Sequence, residues 1–300
     1  MNIQWFPGHM AKTRKILAEN LKLVDVVIEL LDSRIPLSSK NPEIDEIIKN
    51  KPRVVVLNKS DLADEKVSRE WSKWYAENGY SSIFIDSIKG KGINELKSKL
   101  REIMKDKIER DKLKGRLFRP IRTMVVGIPN VGKSSFINKI AGRASAATGD
   151  KPGVTRGKQW IRLNEEIELL DTPGILWPKF EDMLVGLNLA FTGAIKDDIL
   201  DTVELAEKLI EQLIIRYPEN LKQRYKLETL EGKAGYELLA EIGKKRGCII
   251  SGGEINYTRI SAILLDELRG GKIGRISLER PNEERPKEEK PKGYKKKGLK

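Results

Sequence analysis

The segment Gly127-Ile-Pro-Asn-Val-Gly132-Lys133-Ser134 constrains this chain more than any other. It fits GxxxxGK[ST] and lies between an apolar run at 123–126 and a stretch of helical spacing at 134–141. Glycines at those spacings let a backbone wrap around phosphate oxygens, and the amides at a helix start face the anion. Asn130, Val131, Gly132, Lys133, Ser134 and Ser135 are therefore candidate phosphate contacts. In such a loop the lysine reaches the β- and γ-phosphates and the serine hydroxyl can ligate Mg²⁺. A chance match in a chain of 300 residues is on the order of 1% at average amino-acid frequencies.

The rest of the chain supplies the layers such a loop needs. Runs rich in Val, Ile and Leu at 24–31, 54–57, 82–85, 123–126 and 166–170 read as buried strands. Stretches with helical spacing at 41–49, 67–78, 93–107 and 134–141 separate them. Strands alternating with helices predict an α/β fold with a mainly parallel sheet covered on both faces. After about Pro178 the pattern changes to long amphipathic segments, such as 200–216 and 258–269, which predicts a smaller all-helical domain over 179–280. The tail 281–300 is Pro, Glu and Lys, with six Lys and no acid among residues 290–300, and is expected to be disordered and basic.

Further motifs stand at strand ends. Asp171-Thr-Pro-Gly174 follows the run at 166–170 and has the place of the carboxylate on the Mg²⁺ side of a phosphate-loop enzyme, although the same four residues also make an ordinary turn. Between it and the phosphate loop lies Lys151-Pro-Gly-Val-Thr155-Arg, where Thr155 can complete Mg²⁺ coordination and sense the γ-phosphate. Asn58-Lys59-Ser60-Asp61 ends the second apolar run, where ligands bind in open α/β sheets. A carboxylate there accepts from the ring N–H and exocyclic amine of guanine, whereas adenine offers an acceptor at the equivalent ring nitrogen, so Asp61 favours GTP over ATP. The plain alternative is that Asp61 only caps the following helix. Asp86-Ser87-Ile-Lys-Gly90 ends a third run and suits backbone and hydroxyl contacts with a base.

Composition bounds the partners. The excess of 57 Lys and Arg over 44 Asp and Glu leaves a net charge of +13, which favours polyanions such as nucleic acid or an anionic membrane without choosing between them. Cys248 is the only cysteine, so an internal disulfide is excluded. The N-terminus lacks the apolar stretch of a signal peptide, and no run approaches the roughly 20 apolar residues of a membrane span, so a cytoplasmic chain without stable membrane association is expected.

Together these residues resemble the circularly permuted GTPases of the RbgA/YlqF family, the ribosome biogenesis GTPase A group. The usual guanine-motif order begins with the phosphate loop; here Asn58–Asp61 and Asp86–Gly90 come first, followed by Gly127–Ser134, Thr155 and Asp171–Gly174. Trp5-Phe-Pro-Gly-His9-Met and Asp32-Ser-Arg34-Ile-Pro36 also look like family signatures, so the resemblance runs from residue 5 to about 178. It implies a permuted phosphate-loop GTPase domain at 1–178 followed by a helical RNA- and ribosome-binding domain. Implied GTP contacts are Asn58, Lys59, Asp61, Ser87, Thr155, Gly174 and the phosphate loop; implied Mg²⁺ ligands are Ser134, Thr155 and Asp171.

Two departures matter. Ser87-Ile88 stands where the family has Ser-Ala, so only Ser87 carries over. Ile175 follows the Asp171–Gly174 motif where Ras-like proteins have a water-orienting glutamine, and an aliphatic side chain cannot do that. The resemblance gives that task to His9, otherwise a lone structural or exposed histidine, with Lys133 and Asn130 as further catalytic candidates. Asn130 resembles the K⁺ ligand of potassium-activated GTPases; the alternative is a hydrogen bond that braces the loop. The implied partner is the precursor of the large (50S) ribosomal subunit, through rRNA and ribosomal proteins, with Lys12, Arg14, Lys15, Lys244, Lys245, Arg246 and the tail as basic contacts. A monomer that hydrolyses GTP on that particle is expected. The competing reading is an RNA-binding placeholder in which nucleotide only tunes affinity; a GTPase of tRNA modification or membrane signalling leaves the Trp5–Met10 string and the permuted order unexplained.

Overall fold

A computed structural model describes residues 10–48, 51–115, 119–142, 159–163, 165–171 and 182–283. The chain runs α1 (Met10–Leu21), β1 (Val26–Asp32), α2 (Pro42–Ile48), β2 (Arg53–Asn58), α3 (Glu65–Glu77), β3 (Ser81–Ile85), α4 (Ile93–Leu113), β4 (Ile121–Val126), α5 (Lys133–Ala141), β5 (Gln159–Arg162) and β6 (Ile167–Asp171). Five helices follow: α6 (Met183–Phe191), α7 (Thr202–Arg216), α8 (Pro218–Tyr225), α9 (Gly235–Lys245) and α10 (Tyr257–Arg269). The strands form one sheet in the order β3-β2-β1-β4-β6-β5, parallel throughout except where β5 pairs with β6.

Burial of both faces explains why the strands read as unbroken apolar runs. In β1, Val26, Ile28 and Leu30 join Leu96, Leu100 and Met104 of α4 and Phe136, Ile137 and Ile140 of α5. Val27 faces the other way, onto Leu17 and Leu21 of α1 and Ile44 and Ile48 of α2, while Leu31 packs against Val67, Trp71 and Tyr75 of α3. Each fully buried aliphatic side chain of this kind contributes roughly 1.5–3 kcal/mol. β5 was not among the expected strands: four residues reading Gln-Trp-Ile-Arg carry no apolar run, and they form a strand only through antiparallel pairing with β6.

Parallel register sets the strand ends at a common level. Asp32 lies opposite Asn58, and Asn58 opposite Ile85, so the loops after β1, β2 and β3 emerge side by side at the carboxyl edge of the sheet. The loop after β4, which carries Gly127–Gly132, opens beside them.

The helical part shares the same buried cluster as one sheet face: Leu189, Phe191, Leu205, Leu209, Leu213, Leu239 and Leu264 belong to it. Helix α7 starts at Asp201, whose carboxylate accepts from the amides of Val203 and Glu204, and its Leu205, Leu209 and Leu213 recur every four residues on one face. After α10 the chain returns to the sheet. Glu279, 5% exposed, accepts the amides of Leu37 at 2.8 Å and Ser38 at 3.0 Å and the side-chain amide of Asn188 in α6 at 3.2 Å. Its backbone carbonyl accepts from Trp71 Nε1 at 3.3 Å. Among the described residues no helix is long and apolar enough to cross a membrane.

Removing the Glu279 carboxylate leaves the buried Ser38 amide and the half-buried Leu37 amide short of an acceptor and takes one of two acceptors from Asn188, which also reaches the Ser38 hydroxyl at 3.2 Å. Glu279→Ala is expected to lower unfolding stability by about 3 kcal/mol, read as a shift of the urea midpoint; a change under roughly 0.5 kcal/mol, the range of ordinary surface substitutions, contradicts this role.

Candidate nucleotide-binding site

β4 delivers the chain into the loop 127–132, and α5 begins at Lys133. Gly132 sits at φ +95, and a β-carbon there would lie 2.5 Å from Asn58 Nδ2. Only glycine combines that backbone conformation with so close an approach. The helix starts without a side-chain cap, so its first amides stay directed at the mouth of the loop, an arrangement suited to an anion. Lys133 Nζ donates back over the loop to the carbonyls of Gly127 at 3.2 Å and Ile128 at 3.0 Å. Ser134 is half-buried on the first turn of α5 and Ser135 is exposed beside it; the Ser134 hydroxyl has the position that ligates a nucleotide-borne Mg²⁺ in phosphate-loop enzymes.

The loop after β2 is bonded directly to the loop after β4. Asn58, 1% exposed, donates from Nδ2 to the Val131 carbonyl at 2.9 Å and accepts on Oδ1 from the Ser87 hydroxyl at 2.6 Å. Lys59, at φ +55, donates to the Asn130 carbonyl at 2.7 Å. Asn58, Lys59, Ser87, Asn130, Val131 and Gly132 are thus brought together from three loops. Asp61 lines an adjacent pocket of about 480 Å³ with Ser60, Asp86, Lys89, Lys91 and Arg275. It does not cap α3: Asp64 does, accepting from the amides of Lys66 and Val67. Asp86 accepts from the amides of Ile88 and Lys89, both at 2.9 Å, which shapes the turn that presents Ser87.

Beneath these loops lies a buried ion group. Asp32 takes Arg34 Nε at 2.9 Å and Nη2 at 2.8 Å in a bidentate pair, and Lys59 Nζ stands 3.2 Å from the same carboxylate. Burial pushes the Asp32 carboxyl up, but the Arg34 guanidinium and the Lys59 ammonium outweigh it and hold the group well below the usual carboxylate range. The Asp32-Ser-Arg34 string carried no assigned role in the sequence; its aspartate steadies Lys59 from below and its arginine turns toward α10. Asn130 Nδ2 donates to the Gly193 carbonyl at 2.7 Å, which braces the phosphate loop against the turn after α6. A K⁺ ligand would use the opposite, carbonyl end of the same amide.

His9, Thr155, Gly174 and Ile175 lie outside the described residues, as does the Asp171 side chain, although the Asp171 backbone ends β6.

A family model described as a 50S ribosome-binding GTPase matches residues 122–230, beginning at β4 and thus after the loops that follow β2 and β3. Ribosome biogenesis GTPase A of Bacillus cereus is 52% identical over 283 residues, which span 94% of this chain and 95% of that protein. This chain belongs to the ribosome biogenesis GTPase A family. A GDP-bound YlqF structure matches with a TM-score of 0.64 at 25% identity, covering 89% of this chain and 100% of the other. GNP-bound YlqF from T. maritima matches at 0.62 and 25%, covering 90% and 99%. The chain is a circularly permuted GTPase, in which the Asn58–Asp61 and Asp86–Gly90 motifs precede the Gly127–Ser134 motif.

The ion group predicts an acid-sensitive fold. Because the folded Asp32 titrates below its unfolded value, its contribution to stability is complete above about pH 4 and is lost as the pH falls below that. Asp32→Asn leaves Arg34 buried without its carboxylate and is expected to cost about 3–5 kcal/mol at pH 7 while flattening the loss of stability below about pH 4. Urea unfolding across a pH series reads both; an unchanged acid limb in the variant contradicts the assignment.

Proposed function

We propose that this GTPase is an assembly factor for the large ribosomal subunit, which binds the precursor particle in the GTP state and leaves after hydrolysis. What carries the reading is the Asn58 side chain bonded at once to Val131 and Ser87: the phosphate loop and both base loops form one guanine-nucleotide site, in a chain whose relatives are named for ribosome biogenesis. The net charge of +13 suits rRNA as the surface bound, with ribosomal proteins beside it; in this reading the work is cytoplasmic.

In this reading Asp61 accepts from the ring N–H and exocyclic amine of guanine, while the Lys59 stem and Ser87 border the base. Amides of 131–135 and the Lys133 ammonium hold the β- and γ-phosphates. Ser134, Thr155 and Asp171 would hold Mg²⁺, which when bound would supply positive charge beside the phosphates. Gly174 meets the γ-phosphate, and Asn130 can turn its carbonyl end to K⁺. With Ile175 unable to orient water, His9 takes that task once the particle is engaged.

Two outcomes are expected. GTP turnover rises when immature large subunits are added, and His9→Ala lowers the stimulated rate by roughly a hundredfold or more with GTP affinity near wild type; turnover indifferent to the particle favours the RNA-binding placeholder instead. Asp61→Asn shifts preference from guanine toward xanthine nucleotides by roughly tenfold or more, measured by competition against labelled GDP; unchanged GDP affinity refutes the base contact.

A further inference from the structure

Beyond α10 the string Gly270-Gly271-Lys272-Ile273-Gly274-Arg275 looks like a flexible basic loop, yet its geometry is fitted to the loop that carries Asp61. Gly271 lies at φ +70, and a β-carbon there would sit 2.7 Å from Leu62 Cδ2, the residue next to Asp61. Gly274 lies at φ +128, and a β-carbon there would sit 2.2 Å from Asn220 Nδ2, whose amide also donates to the Ile273 carbonyl at 3.2 Å. Bare backbone at these two positions lets the segment pass closely between α8 and the base loop.

The next three residues then grip that loop along its length. Arg275 donates from Nε to the Ala63 carbonyl at 2.7 Å and from Nη2 to the Ser60 carbonyl at 3.0 Å, forking across Asp61 and Leu62. The Ile276 amide donates to the Leu62 carbonyl at 2.9 Å, and the Ser277 hydroxyl accepts from the Asp64 amide at 3.1 Å. On its other side the segment is fixed to the helices: the Tyr217 hydroxyl accepts from the Ser277 amide at 3.0 Å and donates to the Ser277 carbonyl at 3.2 Å. The sheet reaches the base loop mainly at its start, through the Ser60 amide on the Ile85 carbonyl at 3.1 Å. Where the Asp61 backbone goes from there is set by residues 275–277.

A carboxylate that accepts two hydrogen bonds from one edge of a base tolerates displacements of only a few tenths of an ångström before their geometry degrades. We propose that Arg275 is a positioning residue for guanine specificity, holding residues 60–64 so that Asp61 meets the base edge. The proposal rests on the reading that Asp61 contacts guanine. It deepens that reading by assigning part of base recognition to a segment more than two hundred residues away along the chain, on the far side of the helical part.

The test compares GDP with inosine diphosphate, which keeps the ring N–H and lacks the exocyclic amine, on the full chain by calorimetric titration. Wild type is expected to prefer GDP by roughly tenfold or more, the discrimination available when a charged acceptor loses a donor. Arg275→Ala is expected to reduce that ratio by roughly threefold or more, and Arg275→Lys, whose ammonium lacks the guanidinium fork, to fall between the two. A loss of thermal stability in either variant with the ratio unchanged assigns Arg275 a purely structural role and overturns the proposal. If Asp61→Asn keeps the wild-type ratio, the base contact itself is wrong and the proposal goes with it; if Asp61→Asn abolishes the ratio while Arg275→Ala preserves it, only the proposal fails.

Discussion

The side-chain amide of Asn58 has one donor end and one acceptor end, and both are committed: Nδ2 to Val131 in the loop after β4 and Oδ1 to Ser87 in the loop after β3. A buried amide that loses either partner leaves a polar atom without water or hydrogen bond, at a cost of roughly 1–3 kcal/mol, so the three loops keep their relative positions. Position 132 requires glycine because its φ is positive and this amide occupies the space a β-carbon would take. Chain order is irrelevant to such a contact. The hydrogen bonds form between strand ends, and any connectivity that preserves the parallel register of Asp32, Asn58 and Ile85 places the same loops together.

What the permuted order changes is which elements lie downstream of the phosphate loop. The segment after β6 leads directly into α6, and α6 is tied back to the site twice. The turn that follows it receives the Asn130 side chain, and its Asn188 shares the Glu279 carboxylate with the amides of Leu37 and Ser38. Arg269 adds a third tie within the helical part, donating to the carbonyls of Ala190 and Phe191 while pairing with Asp197. Helices and nucleotide loops are therefore connected through specific, directional hydrogen bonds as well as through the shared apolar cluster, and a ligand that alters one set of these contacts acts on the other.

Legibility in the sequence followed the physics of each element. The parallel strands were readable because burial on both faces demands unbroken Val, Ile and Leu, and the motifs stood out because their residue types recur at fixed spacings at strand ends, where the structure brings Asn58, Ser87 and Val131 together. β5 was hidden because only the central Trp-Ile pair of its four residues is apolar and its strand state comes from pairing with β6. Helix α1 was hidden as well: its buried residues, such as Leu17 and Leu21, are few, and the sheet face they cover is what orders them. For Asp61 the residues permitted either a cap or a base contact; three-dimensional placement gives the cap to Asp64. The segment 271–278 was opaque for another reason. Its glycines serve contacts with Leu62 and Asn220, partners far away in sequence, and locally they read as a basic loop.

The central claim is that three loops from separate parts of a permuted chain make one guanine-nucleotide site. Backbone hydrogen exchange with and without GDP tests it most directly. The claim predicts that amides in 58–62, 86–90 and 127–134 gain protection together at the same GDP concentration; protection confined to 127–134 would mean that only the phosphates are held, and would contradict it.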